Sequence, residues 1–124
     1  MIDIINQIVE IISNIDGLNG KVYRRWPKKK TGCPAVLVSH SGHYPALTDA
    51  DGQSIMSNLI YSIDINADNP KQCDELTAKI VDALECYNFH ANGMTDFYDD
   101  VLQVYRSIIT VNGVVDIRGN TFTI

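Results

Sequence analysis

Ser54-Ile-Met-Ser-Asn-Leu-Ile-Tyr-Ser-Ile-Asp-Ile-Asn66 decides the fold. Ile55, Leu59, Tyr61, Ile63 and Ile65 occupy odd positions, while Ser54, Asn58, Ser62, Asp64 and Asn66 occupy even ones. Successive side chains of an extended chain point to opposite faces. The alternation therefore predicts a strand with one face on a core and the other in water. Met56 and Ile60 interrupt the polar face and predict a partly covered surface there.

Asp68-Asn69-Pro70 follows this strand and reads as a helix start, a cap-type residue before proline at the first helical position. Cys73, Leu76, Ile80, Leu84 and Tyr87 then form an apolar stripe, widened by Val81, that predicts a helix over about 70–87. Asp74 and Glu75 are expected in its first turn, where the helix dipole favours acids. Asn88 is a candidate left-handed stop. Upstream, Ile4, Ile5, Ile8, Val9, Ile12 and Ile15 predict a second amphipathic helix over 3–15, ended by Asp16-Gly17 and Asn19-Gly20. Ile11 lies outside that stripe, so the helix is buried more widely than usual or touches another subunit.

The remaining segments read as short strands and loops. Val22-Tyr23 opens a short strand that Trp26-Pro27 stops. Pro34 to Ser39 reads as a buried strand, residues 40–53 as a loop, and Asp51-Gly52 as a hairpin turn. Residues 90–100 read as irregular and acidic. Val101 to Val111 is a long β-branched run closed by the turn signal Asn112-Gly113, and short strands finish the chain. Because apolar residues occur in both phases of that run, either a bulge switches the phase or both faces are covered. The order predicts an α+β fold: an antiparallel or mixed sheet packed on one face by two helices, in a single domain spanning 1–124.

Composition supports one domain with a real core: 124 residues, 45% hydrophobic and 20% charged. No apolar run approaches the ~20 residues of a membrane span. The start, Met-Ile-Asp-Ile-Ile-Asn, shows neither a basic region nor a small-residue cleavage site, so no secretory signal is expected. Net charge is −5, yet six of the ten basic residues (Lys21, Arg24, Arg25, Lys28, Lys29 and Lys30) lie in one stretch without an acid, leaving −11 on the rest. Such a stretch is either a solvated loop or a contact surface for an acidic protein or a phosphate backbone.

No segment names a reaction. Three cysteines (Cys33, Cys73 and Cys86) make a poor disulfide framework, and Cys73 and Cys86, about 140° apart around the helix, do not converge. All three read as reduced, small apolar side chains. His40, His43, Asp49 and Asp51 share a loop but lack the rigid elements of a metal site. Asp96, Asp99 and Asp100 read as an exposed acidic turn rather than an acid–base pair. Cys86 and His90 make a weak thiolate–imidazole pair, since His90 lies past the helix stop. Ser39-His40-Ser41-Gly42 lacks the nucleophile elbow, and no phosphate-cradling glycine motif occurs. Tyr23 and Trp26 among the basic residues would suit single-stranded nucleic acid, but the acidic remainder would repel a long polyanion.

The order of elements, with Gly20-Lys21-Val22-Tyr23, Pro34-Ala-Val-Leu-Val, Tyr61-Ser-Ile-Asp-Ile-Asn-Ala-Asp, the helix from Cys73 to Tyr87 and the closing Arg106-Ser-Ile-Ile-Thr-Val-Asn-Gly-Val-Val-Asp-Ile, resembles the tail terminator (tail completion) proteins of tailed bacteriophages and prophage tail-like particles. Nothing in 40–53 or in the basic run 24–30 matches that pattern. The resemblance implies a structural subunit of a virion or tail-like particle, assembled in the host cytoplasm. It forms a ring, usually a hexamer, that caps the tail tube and joins it to a head or neck connector. DNA would meet it only in transit, and neither catalysis, cofactor nor membrane is expected. Another head–tail connector or tail assembly chaperone, a nucleic-acid-binding module using 21–30, and a small enzyme or metal binder using 40–51 are the alternatives. A ring protomer needs two different complementary faces. Arg24, Arg25, Lys28, Lys29, Lys30, Ile11, Met56 and Ile60 are the candidate partner-facing residues.

Overall fold

A computed structural model describes residues 4–18, 21–25, 32–48, 54–116 and 121–122. In chain order the elements are α1 (Ile5–Ser13), β1 (Val22–Tyr23), β2 (Ala35–Thr48), β3 (Ser54–Ala67), α2 (Pro70–Glu85), β4 (His90–Asp99), β5 (Val104–Asp116) and β6 (Thr121–Phe122). The strands form one six-stranded sheet in the order β1-β2-β3-β5-β4, with β6 beside β5. β1 runs parallel to β2 and every other pairing is antiparallel, so the sheet is mixed. The fold is α+β.

The alternation of β3 does what its sequence predicts. Leu59, Tyr61, Ile63 and Ile65 are fully buried, in one cluster with Ile5, Ile8 and Ile12 of α1, Leu76, Ile80 and Leu84 of α2, and Ile109, Val111 and Val115 of β5. Both helices therefore cover the odd face of β3. Met56 and Ile60, in the even phase, lie on the opposite face and are half-buried. β5 has a single buried phase from Ser107 to Val115. No bulge interrupts its pairing with β3, and its other phase is half-buried.

α2 is capped as Asp68-Asn69-Pro70 requires. The Asn69 side chain accepts from Gln72 N at 2.8 Å, and Gln72 Oε1 accepts from Asp68 N at 3.0 Å, so two otherwise orphaned donors are satisfied reciprocally. The first turn holds no acid, because Asp74 and Glu75 fall in the second. Asn88 adopts the left-handed conformation, φ 65°, and Phe89 N donates to Leu84 O at 3.0 Å. The helix thus stops at Glu85 rather than 87, which leaves Tyr87 exposed instead of on the apolar stripe. Cys86 is likewise exposed, unlike the buried Cys73.

α1 has no side-chain cap; Ile4 N instead donates to the Tyr61 hydroxyl at 3.1 Å, which ties the helix start to the middle of β3. The described helix, 5–13, is shorter than the expected 3–15, and residues 1–3 lie outside the described residues.

Three expectations are corrected. Residues 40–48 are not a loop but the second half of β2, paired to β3 through register shifts after His40 and around Leu47. Beyond Leu37 β2 has a strand partner on one side only among the described residues, and such an edge tolerates Gly42 and Pro45 beside the register shifts. Asp51-Gly52 falls within the connection 49–53, outside the described residues. Residues 90–99 are not irregular but a strand at the sheet edge. Asn112-Gly113 is no turn; β5 runs straight through it. A Cβ at Gly113 would lie 2.8 Å from two Phe89 ring carbons, so the glycine serves a close approach to that ring.

Candidate interaction surface

β4 and β5 form a hairpin whose outer strand has no further partner among the described residues. Its large apolar side chains stay exposed: Met94 is 54% exposed, Phe97 40%, Tyr98 46%, and at the tip Val101 91% and Leu102 44%. An exposed edge strand that carries large apolar side chains is a template for association. Asp96 and Asp100, also exposed, add charge to it and make no ion pair among the described residues.

The hairpin is held in shape by its own residues. Asp99 Oδ1 accepts from Val101 N and Leu102 N, both at 3.0 Å, and Gln103 turns the chain in the left-handed region at φ 56°. Asp99 Oδ2 accepts from Arg106 Nη1 at 2.9 Å. The same guanidinium pairs in bidentate fashion with Asp64 of β3 and lies 5.3 Å from the centre of the Phe97 ring. The Leu102 amide and then the Arg106 side chain hold the Asp99 carboxyl below the usual carboxylate range. The Asp64 hydrogen bond makes Arg106 hold its proton still more firmly. Behind the hairpin, Pro70, Cys73, Asp74, Asp96, Tyr98 and Tyr105 line an open cleft of about 220 Å³. Burial, followed by the Asp96 and Asp74 carboxylates, pushes the Cys73 thiol up, so it is a poor nucleophile.

The predicted partner-facing residues separate. Arg24 and Arg25 follow β1 at the other end of the sheet, exposed, and line a cleft of about 460 Å³ with Ile5, Ser39 and His40. Neither makes an ion pair among the described residues. Lys28, Lys29 and Lys30 lie outside the described residues. Ile11 is half-buried and packs against the helix–sheet core. Met56 and Ile60 lie on the face turned away from the helices, so the five described residues do not form one patch.

The loop grouping of His40 with His43, Asp49 and Asp51 is replaced by a strand position for His40, whose ring lies 5.2 Å from that of Tyr61. The His43 side chain, Asp49 and Asp51 lie outside the described residues, and among those described no three His, Cys, Asp or Glu side chains converge. No described helix is long and apolar enough to cross a membrane. The hairpin is what the sequence reading missed. Its signal was the aromatic pair Phe97-Tyr98 ahead of Asp99-Asp100, a strand composition followed by turn chemistry. No protein-family model and no curated protein matches the chain.

Proposed function

We propose that the protein is a structural subunit that assembles into a ring on a phage or prophage tail tube, in the manner of a tail terminator, and joins the tube to a head or neck component. The observation that carries this reading is the β4–β5 hairpin, an apolar edge strand held rigid by the Arg106–Asp99 and Arg106–Asp64 pairs. A contact surface ordered before its partner arrives avoids the entropic cost of ordering on binding. The sheet also offers two unlike edges, as a closing head-to-tail assembly requires. The test is addition of the purified protein to growing tail tubes. Tubes that stop at a fixed length and carry one extra ring at the tip support the reading. Tubes that grow on unchanged would refute it.

A further inference from the structure

The two sheet edges differ in more than position. At one, Lys21, Arg24 and Arg25 flank or follow β1. At the other, Asp96, Asp99 and Asp100 lie on β4 and its tip. Neither edge is paired to another strand among the described residues: β1 covers β2 only at Val36 and Leu37, and β4 has β5 alone.

The rows of the sheet relate these edges. Asp96 stands opposite Ser107, Ser107 opposite Ile65, Ile65 opposite Val36, and Val36 opposite Val22. Asp96 therefore lies in the same row as Val22, which follows Lys21 directly and precedes the Arg24-Arg25 pair by two positions. Strand direction fits as well. β1 and β2 run one way and β4 the other, so a copy repeated in the same orientation along the sheet sets its β4 antiparallel to its neighbour's β2. A cyclic repeat has no rise along its axis, so with strands near that axis a row on one edge meets the same row on the other.

We infer that copies of this chain join head to tail, the β4 edge of one against the β1–β2 edge of the next, with Asp96 set among Lys21, Arg24 and Arg25 and Asp100 farther along the edge, on the Lys21 side. The inference rests on the ring reading above and names its contact. Exposed Met94, Phe97 and Tyr98 are covered by the neighbour, and unpaired amide groups of two strand edges find partners. Opposite charges fix register and direction, because like edges repel and a two-fold pairing of β4 with β4 is disfavoured.

The experiment is a charge swap read by sedimentation from micromolar to millimolar concentration. Lys21→Glu with Arg24→Glu makes both edges acidic, and Asp96→Lys with Asp100→Lys makes both basic. Each double variant alone should associate at least roughly 100-fold more weakly than the parent, the scale of like-charge juxtaposition. An equimolar mixture should recover closed rings of even subunit number, and the quadruple variant should assemble by itself. Asp82→Lys with Glu85→Lys, on the exposed face of α2, should change nothing. A parent that stays monomeric at every concentration overturns the inference. So does a double variant that assembles as the parent does, or dissociation caused by the α2 variant instead. Should a reversal fail to fold, the parent's salt series reads the same contact: association that weakens as salt rises supports it, and association indifferent to salt overturns it. A monomeric protein that still caps tubes would sink this contact and spare the tail reading. Rings that obey the swap but never stop a tube would do the reverse.

Discussion

Arg106 of β5 donates to Asp99 at the end of β4 over 2.9 Å while holding Asp64 of β3 through its other nitrogens. One side chain thus fastens three strands on the face the helices leave uncovered. Its guanidinium and the Asp64 carboxylate are only 20% and 12% exposed, so neither is fully hydrated when the other is removed.

Arg106→Ala should therefore destabilise the fold by about 2–4 kcal/mol, chiefly by stranding the Asp64 carboxylate. Urea denaturation checks it. Arg106→Lys should recover only part of the loss, since a single ammonium cannot reproduce a planar bidentate pair.

Acid should loosen the hairpin tip through Asp99. Its folded carboxyl titrates below the ordinary value, so the stability it contributes is complete above the usual carboxylate range near pH 4 and is lost as pH falls through the depressed folded value. In an acid titration of stability, Asp99→Asn should remove part of that loss and leave the curve above pH ~5 parallel to the parent's.

Gly113→Ala should cost about 1–3 kcal/mol, because the new methyl would sit 2.8 Å from the Phe89 ring. In a Phe89→Leu background the same change should cost clearly less, as neighbouring sites are not additive. Thermal melting of the four proteins tests this coupling.

The cysteines should separate by reactivity. Exposed Cys86 should alkylate readily at neutral pH, whereas Cys73, buried and with its thiol pushed up, should react only as the protein unfolds. Mass spectrometry of iodoacetamide-treated protein distinguishes them.

Segments that face both core and water were legible from the sequence. β3 and α2 each have one buried and one wet side, and burial writes that periodicity into residue choice. β4 was not legible because the outer edge of the hairpin is exposed in both phases from Asn92 to Tyr98, which leaves no alternation to detect. The later half of β2 was hidden by Gly42 and Pro45, which a strand paired on one side only, with shifts in its register, tolerates. Gly113 misled for a related reason: a glycine required by a ring beside it looks the same in sequence as one required by a turn. Of the candidate surface, the basic half stood out by charge. Its acidic counterpart was visible only as acids, because the pairing that aligns Asp96 with Val22 is set by four strand registers that no local pattern encodes.

β5 is flanked along nearly its whole length, by β3 on one side and by β4 and then β6 on the other. It is also among the last strands in chain order. A polypeptide emerging from the ribosome N-terminus first therefore exposes β3 with one long flank empty until residue 104 and beyond arrive, so the layered core closes late. Once closed, the amides of Ile109 and Val111 should be among the slowest in the molecule to exchange with deuterium.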